Sequence, residues 1–393
     1  MARLFLFLSF VLFSLAHGAD KSFNIAARRD YAHSHHLRKR QYAIEATGLD
    51  RALYWFGNFS VGDSGPLSLL IDTGSSDILI DPGLYKPSKN ELPYVNTKFA
   101  IEYEGVNKAG YGFENINGTA LLDTVSIGNL SVKHQAIANI TSFQFFDLRK
   151  PPTVALERNG IIGFGPKDGS QFMPPADPFF FSLCAEKAID ECRFGLAFGT
   201  NGTGQIVIGK LDTTLIDGDV VPVSEVDQQY VTVGDVTLDN KIISKNQTII
   251  MDVGTNNIQG PLDLTRSIFE SLGWSSKLRV SDQLGGKPDR VLTASFPCGK
   301  PPTLGFSFPT ESQLKPGQKA TIFNISPDVW DSAKHKSGNC TSILGGTNFL
   351  SNVTAHTTAW LVGQPFFAGH YIDFDATSHT ISYANLKNPA TGT

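Results

Sequence analysis

Short apolar runs, broken by glycine, proline and polar turns, recur along this chain and predict strands. Tyr54-Trp55-Phe56-Gly57-Asn58-Phe59-Ser60-Val61-Gly62 mixes aromatic and β-branched residues with glycine breaks. Asp63-Ser64-Gly65-Pro66 reads as a turn. A second run, Leu69-Leu70-Ile71, then delivers Asp72 into Thr73-Gly74-Ser75-Ser76-Asp77, and Ile78-Leu79-Ile80 leads away. Residues 109–119 read as a long hairpin with a polar, glycine-containing tip, continued by Thr124-Val125-Ser126-Ile127-Gly128. Gly160-Ile161-Ile162-Gly163-Phe164-Gly165 predicts a buried strand entering a glycine turn. Helices are few. Asp177-Pro178 starts one before residues 179–189, with proline at its first position. Leu264, Ile268 and Leu272 share a helical face that Gly273 can end, and Ser326-Pro327 starts a third before Val329-Trp330.

The Asp72 turn has a partial copy 180 residues later, Ile249-Ile250-Met251-Asp252-Val253-Gly254-Thr255. Each copy is followed, later in its half, by an apolar-apolar-glycine element, Ile161-Ile162-Gly163 and Leu361-Val362-Gly363. Two such ordered pairs suggest a duplicated lobe with one aspartate from each half. The stretch 199–204, Gly-Thr-Asn-Gly-Thr-Gly, is the candidate boundary. A carboxylate held in an apolar-flanked glycine turn is either buried and hydrogen-bonded or at work chemically.

Composition adds a class and a compartment. The 393 residues are 41% hydrophobic and 18% charged, with Gly 37, Pro 21 and Phe 28, which fits a turn-rich β protein. A net charge of −4 without a dense basic patch argues against a nucleic-acid partner. Residues 1–18 read as a signal peptide: Arg3, an apolar run over residues 4–15, and a small-x-small site at Ala16-His17-Gly18. Residues 19–40 are basic and histidine-rich and end in Lys39-Arg40, which reads as a propeptide with Gln41 as the mature N-terminus. No second long apolar stretch and no lipid-anchor signal follow, so a secreted protein without a membrane anchor is expected. Outside the cell, four cysteines pose a disulfide question with three possible pairings. Cys184–Cys192 with Cys298–Cys340 is favoured, because each bond closes a loop within one stretch of chain. Glycosylation sequons fit the same compartment: Asn58, Asn117, Asn129, Asn139, Asn201, Asn246 and Asn352. Those at Asn324 and Asn339 are discounted, the first for Pro327 behind it and the second for the cysteine inside it.

Taken together these motifs resemble the pepsin-like aspartic proteases in their secreted fungal form. Asp72-Thr73-Gly74-Ser75-Ser76-Asp77 matches the first family motif in full. Tyr111-Gly112, Gly118 and Asp123-Thr124-Val125 match the flap in spacing, and Gly160-Ile161-Ile162-Gly163 and Trp360-Leu361-Val362-Gly363 match the elements flanking the aspartates. Cys298 and Cys340 stand where the family has its C-terminal-lobe disulfide. The resemblance runs from about residue 50 to residue 386.

It implies an all-β, bilobal fold, with residues 41–200 and 201–393 as lobes and the cleft between them. Asp72 and Asp252 would face each other as the catalytic pair and share one proton. Gly74 and Gly254 would let backbone N–H groups approach, Ser75 and Thr255 would hold the outer carboxylate oxygens, and Thr73 would lock the lobes. Tyr111, Gly112 and Phe113 would close over the substrate. Polypeptide substrates, binding of statine-type inhibitors, a monomer, and chemistry needing neither metal nor organic cofactor follow.

The chain departs from the family pattern in places. Val253 replaces the Thr or Ser whose hydroxyl pairs with that of the first motif. Leu79 stands where tryptophan is common, and Gln364 where aspartate is common. Phe113 and Glu114 are expected to make the flap tip bulky and charged, and the first lobe lacks the small disulfide loop. Leu79, Phe113 and Ile161 hint at subsites for large apolar side chains. The alternative reading is a catalytically weak or inactive protein of this fold that binds a protein or glycan in its cleft.

Overall fold

The computed structural model describes residues 21–31, 51–107, 110–144, 159–200, 203–226, 229–281, 289–334, 338–348 and 359–387. The expected signal segment, Lys39-Arg40, Gln41 and the sequons at Asn201 and Asn352 lie outside these residues. Two large β-sheets dominate, as the alternation of short apolar runs and turns requires. Thirteen strands form one sheet and eleven the other, among the described residues. Three strands from the C-terminal half, Ile216–Ser224, His370–Asp375 and Thr380–Leu386, join the first sheet. Arg193–Phe198 and Thr203–Ile208, on either side of residues 201–202, pair antiparallel in this sheet. The change of sheet comes later, between Ile216–Ser224 and Val231–Leu238. Within the segment expected to be a propeptide, Lys21–Tyr31 forms a strand between Arg51–Val61 and Thr203–Ile208.

The duplication is visible in the strand pairing. Pro66–Asp72 runs parallel to Gly160–Gly163, and the chain returns through the Asp72 turn as Ile78–Ile80 on the other side of that strand. Lys241–Met251 runs parallel to Ala359–Val362, and Ile258–Pro261 returns antiparallel to it. In each half the apolar-apolar-glycine strand is thus wedged between the two arms of an aspartate turn. Ile161, Ile162, Trp360 and Val362 are buried and Leu361 is half-buried, which explains an unbroken apolar run where a half-exposed strand would alternate.

Helices are short, as expected. Phe179–Ala185 begins directly after Pro178 and stops well short of residue 189. Leu262–Ser271 buries Thr265, Ile268 and Phe269, and Gly273 follows with a φ of 66°. Ser326 caps a single turn, Pro327–Val329. Both favoured disulfides are present, Cys184–Cys192 and Cys298–Cys340. The core is rich in aromatic rings, with Trp55 stacked on Phe198 and Phe194 on Phe374. Arg193 ties its strand to the neighbouring one through the buried Asp373, at 2.7 Å.

Candidate active site

Backbone hydrogen bonds fix the two turns before any side chain is considered. Phe164 N–H donates to Asp72 O at 2.7 Å and Gly163 N–H to Asp77 O at 2.9 Å. In the other half, Asp252 N–H donates to Val362 O at 3.0 Å and Gly363 N–H to Asn257 O at 3.1 Å. Each aspartate therefore ends a strand whose neighbour clamps the following turn.

The carboxylates are held in matched ways. Gly74 N–H donates to Asp72 Oδ1 at 2.9 Å, and the Ser75 hydroxyl to Asp72 Oδ2 at 2.5 Å. Gly254 N–H donates to Asp252 Oδ1 at 2.8 Å, and the Thr255 hydroxyl to Asp252 Oδ2 at 2.5 Å. The two carboxyls meet within hydrogen-bonding reach of each other. The glycines do more than admit their own N–H groups, because each packs against the aspartate of the other half. A Cβ on Gly74 would lie 2.7 Å from Asp252 Cγ, and one on Gly254 would lie 2.1 Å from Asp72 Oδ1.

Such a pair cannot ionise fully at low cost. Burial first, and the neighbouring Asp72 charge second, push the Asp252 carboxyl well above the ordinary carboxylate range, against the opposing pull of Thr255 and Gly254. The geometry therefore favours a pair holding one proton, with a charged acceptor and a neutral donor side by side.

Thr73 links the halves through backbone atoms. Its hydroxyl donates to Met251 O at 2.9 Å and accepts from Val253 N–H at 2.9 Å. The loss of a hydroxyl at Val253 therefore does not strand Thr73. What is missing is the reciprocal link from the second turn. Val253 is fully buried, so its methyls fill the space as apolar packing. Gln364, also fully buried, donates from Nε2 to Val253 O at 2.6 Å, while its Oε1 finds no partner among the described residues. The Asp77 carboxylate is buried too, accepting from Gln171 N–H at 2.7 Å, and burial pushes its pKa up to about 6.

The long hairpin exists but turns elsewhere. Leu92–Asn107 and Gly110–Ile127 pair antiparallel, and Asn107 still stands opposite Gly110. Tyr111 lies opposite Val106, Gly112 opposite Gly105, and Phe113 opposite Glu104. Phe113 and Glu114 are thus strand residues, which corrects the expectation that they form the tip. Antiparallel pairing that continues past both residues leaves them no place in a turn. At the base, Asp123 accepts from Tyr85 OH at 2.6 Å, Ser88 N–H at 2.9 Å and Thr124 N–H at 2.6 Å, and also from the Ser88 hydroxyl.

The structure brings Asp72, Asp252, Thr73, Gly74, Ser75, Gly254 and Thr255 into one constellation. Leu79 and Ile161 are instead buried with Phe56, Leu70 and Phe172, leaving little of either to meet a ligand. Sequence reasoning missed the bond from Asn256 Nδ2 to the Tyr54 hydroxyl, 2.8 Å long and 202 residues apart in sequence. Its one available signal was a polar residue directly after the second motif.

Comparison with known proteins agrees with this geometry. Residues 54–386 match the eukaryotic aspartyl protease family. Secreted aspartyl protease 1 of Malassezia globosa is 24% identical over 88% of this chain and 76% of its own length. Secreted aspartic protease 5 of Candida albicans is 26% identical over 67% of this chain and 63% of its own. A probable vacuolar protease A of Trichophyton verrucosum is 25% identical over 91% of this chain and 87% of its own. With two clamped aspartate turns and a family match across nearly all the described residues, the chain belongs to the pepsin-like eukaryotic aspartyl proteases, a family of peptide hydrolases.

Proposed function

We propose that this protein is a secreted endopeptidase that cuts polypeptides at acid pH, with Asp72 and Asp252 as its catalytic residues. The observation that carries this reading is the carboxyl pair itself: two acids in contact, each held by a glycine N–H and a hydroxyl of its own turn. The charged member takes a proton from a water lying between the carboxyls. That water attacks the scissile carbonyl carbon, and the neutral member passes its proton to the carbonyl oxygen, giving a gem-diol and leaving the proton taken from water on the pair. The proton held by the pair then passes to the amide nitrogen while a gem-diol hydroxyl returns its own proton to a carboxylate, so the C–N bond breaks and the pair again shares one proton. The pair must keep that proton to work, so activity is lost as pH rises through its upper titration. Tyr111, with Gly112 and Phe113, covers the substrate from the hairpin.

Residues 1–18 direct secretion, residues 19–40 are removed after Lys39-Arg40, and the mature monomer folds as lobes 41–200 and 201–393. Relatives named as secreted proteases support this route. Of the sequons, Asn58, Asn129 and Asn246 are exposed and open to glycan addition, whereas Asn117 and Asn139 are half-buried.

The test is cleavage of a denatured protein from pH 2 to 7 by enzyme processed to begin at Gln41, with and without a statine-type inhibitor. Acid-limited, inhibitor-sensitive cleavage is expected, and Asp72→Asn with Asp252→Asn should abolish it. Undiminished cleavage by that double variant would refute the assignment. No cleavage at any pH by folded, processed protein would favour the binding-protein reading that Val253 suggests.

A further inference from the structure

Val253 removes one of the two reciprocal hydroxyl links between the aspartate turns, leaving Thr73 as the link at the dyad itself. A different link crosses nearby. Asn256 directly follows Thr255, whose hydroxyl holds Asp252 Oδ2 at 2.5 Å. The Asn256 side chain donates to the Tyr54 hydroxyl at 2.8 Å. Tyr54 belongs to Arg51–Val61 in the first sheet, whereas Asn256 sits in the turn between two strands of the second. Tyr54 is itself fixed. Its ring packs on Phe56, with centroids 6.5 Å apart, and against the apolar cluster that holds Leu70, two residues before Asp72. A continuous path thus runs from the strand under the first aspartate, through Tyr54 and Asn256, to the hydroxyl that orients the second.

We propose that Tyr54 is a positioning residue: its hydroxyl, acting through Asn256, holds the Asp252 turn in register in place of the hydroxyl link that Val253 lacks. This rests on the two-aspartate reading above. A catalytic carboxyl displaced by a fraction of an ångström loses rate before it loses fold. The link therefore acts on kcat and on the titration of the pair, not on substrate affinity. Letting the second turn drift away from the first opens the pair to water and weakens the mutual field, both of which lower the upper titration.

The experiment compares Tyr54→Phe, Asn256→Ala, Val253→Thr and the double variant Tyr54→Phe with Val253→Thr, using an internally quenched peptide substrate. Tyr54→Phe should lower kcat roughly tenfold with KM within about twofold, and move the high-pH limb of kcat to lower pH. Asn256→Ala should do the same. In the Tyr54→Phe background Val253→Thr should recover most of the lost kcat, a larger gain than it gives in the parent enzyme, and independent sites would not show that coupling. A rise in KM with unchanged kcat would make Tyr54 a substrate contact and overturn the proposal. An unmoved pH limb, or no recovery by Val253→Thr, would overturn it too. Failure of the underlying reading is distinct, because full activity after Asp72→Asn would expose it whatever Tyr54→Phe does.

Discussion

At the scale of single residues, the two glycines beside the dyad make the sharpest prediction. Gly254→Ala would place its new carbon 2.1 Å from Asp72 Oδ1, and Gly74→Ala would place its own 2.7 Å from Asp252 Cγ. Neither clash can be relieved without parting the carboxyls. Each variant should lose activity by about 100-fold or more while remaining folded, since misplacement of that size is felt in rate first. Peptide hydrolysis read alongside the melting temperature checks this, and near-normal activity in either variant would contradict the geometry. Val253→Thr should go the other way in stability. By the duplication, the introduced hydroxyl lies opposite Ile71 as Thr73 lies opposite Met251, and a satisfied buried hydrogen bond adds about 1 kcal/mol. Urea unfolding measures it directly. The placement of these residues was largely legible in the sequence, because a Gly-Ser or Gly-Thr pair after each aspartate allows few other geometries. Gln364 was legible only as a departure. Its contact with Val253 O depends on a strand that arrives 111 residues later, and no local pattern encodes that approach.

At the scale of elements, the hairpin shows where local pattern and pairing part company. The sequence announced two strands and a turn, and both strands are there. The polar stretch around Glu114 is no turn because strand pairing rewards every added rung of hydrogen bonds, and the ladder runs on to Asn107 opposite Gly110. The stretch 199–204 shows a related ambiguity: glycine-rich punctuation suits a lobe boundary, yet the strands Arg193–Phe198 and Thr203–Ile208 that meet there pair in one sheet. What anchors the hairpin is a side chain whose role no periodicity reveals. Asp123, buried at the base, collects four donors from Tyr85, Ser88 and Thr124. Asp123→Asn keeps the shape but not the charge, and its single carbonyl oxygen cannot satisfy four donors. A loss of about 2–4 kcal/mol is expected, with buried donors left short of a partner. Denaturant unfolding should show that loss, and limited proteolysis should nick residues 92–127 faster. If both readings stay at their original values, Asp123 is not the anchor.

At the scale of the whole molecule, the buried acids set the pH at which the fold is most stable. Burial raises Asp77 from 3.8 to about 6, with the Gln171 N–H and the Ser170 hydroxyl opposing it, and Asp252 is raised as well. Between pH 3.8 and about 6, the folded protein therefore binds more protons at Asp77 than the unfolded chain does. Stability must then fall as pH rises through that window and be highest on its acid side. One pKa unit is worth about 1.4 kcal/mol, so Asp77 alone accounts for up to about 3 kcal/mol between the two ends. His370 works against this. Burial lowers its pKa, so the unfolded chain gains a proton below about pH 6.5 that the folded protein resists taking up. The prediction is a melting temperature higher at pH 4.5 than at pH 7.5, as suits a protein that would work in acid. Asp77→Asn should shrink that difference, because the amide still accepts from Gln171 N–H but no longer titrates. His370→Gln should enlarge it, because an amide can still donate to Phe366 O, which His370 Nδ1 contacts at 2.5 Å, and carries no proton cost. The two variants must move the pH profile in opposite directions. If Asp77→Asn leaves the slope between pH 4 and 6 untouched, the acid preference of this fold has another origin.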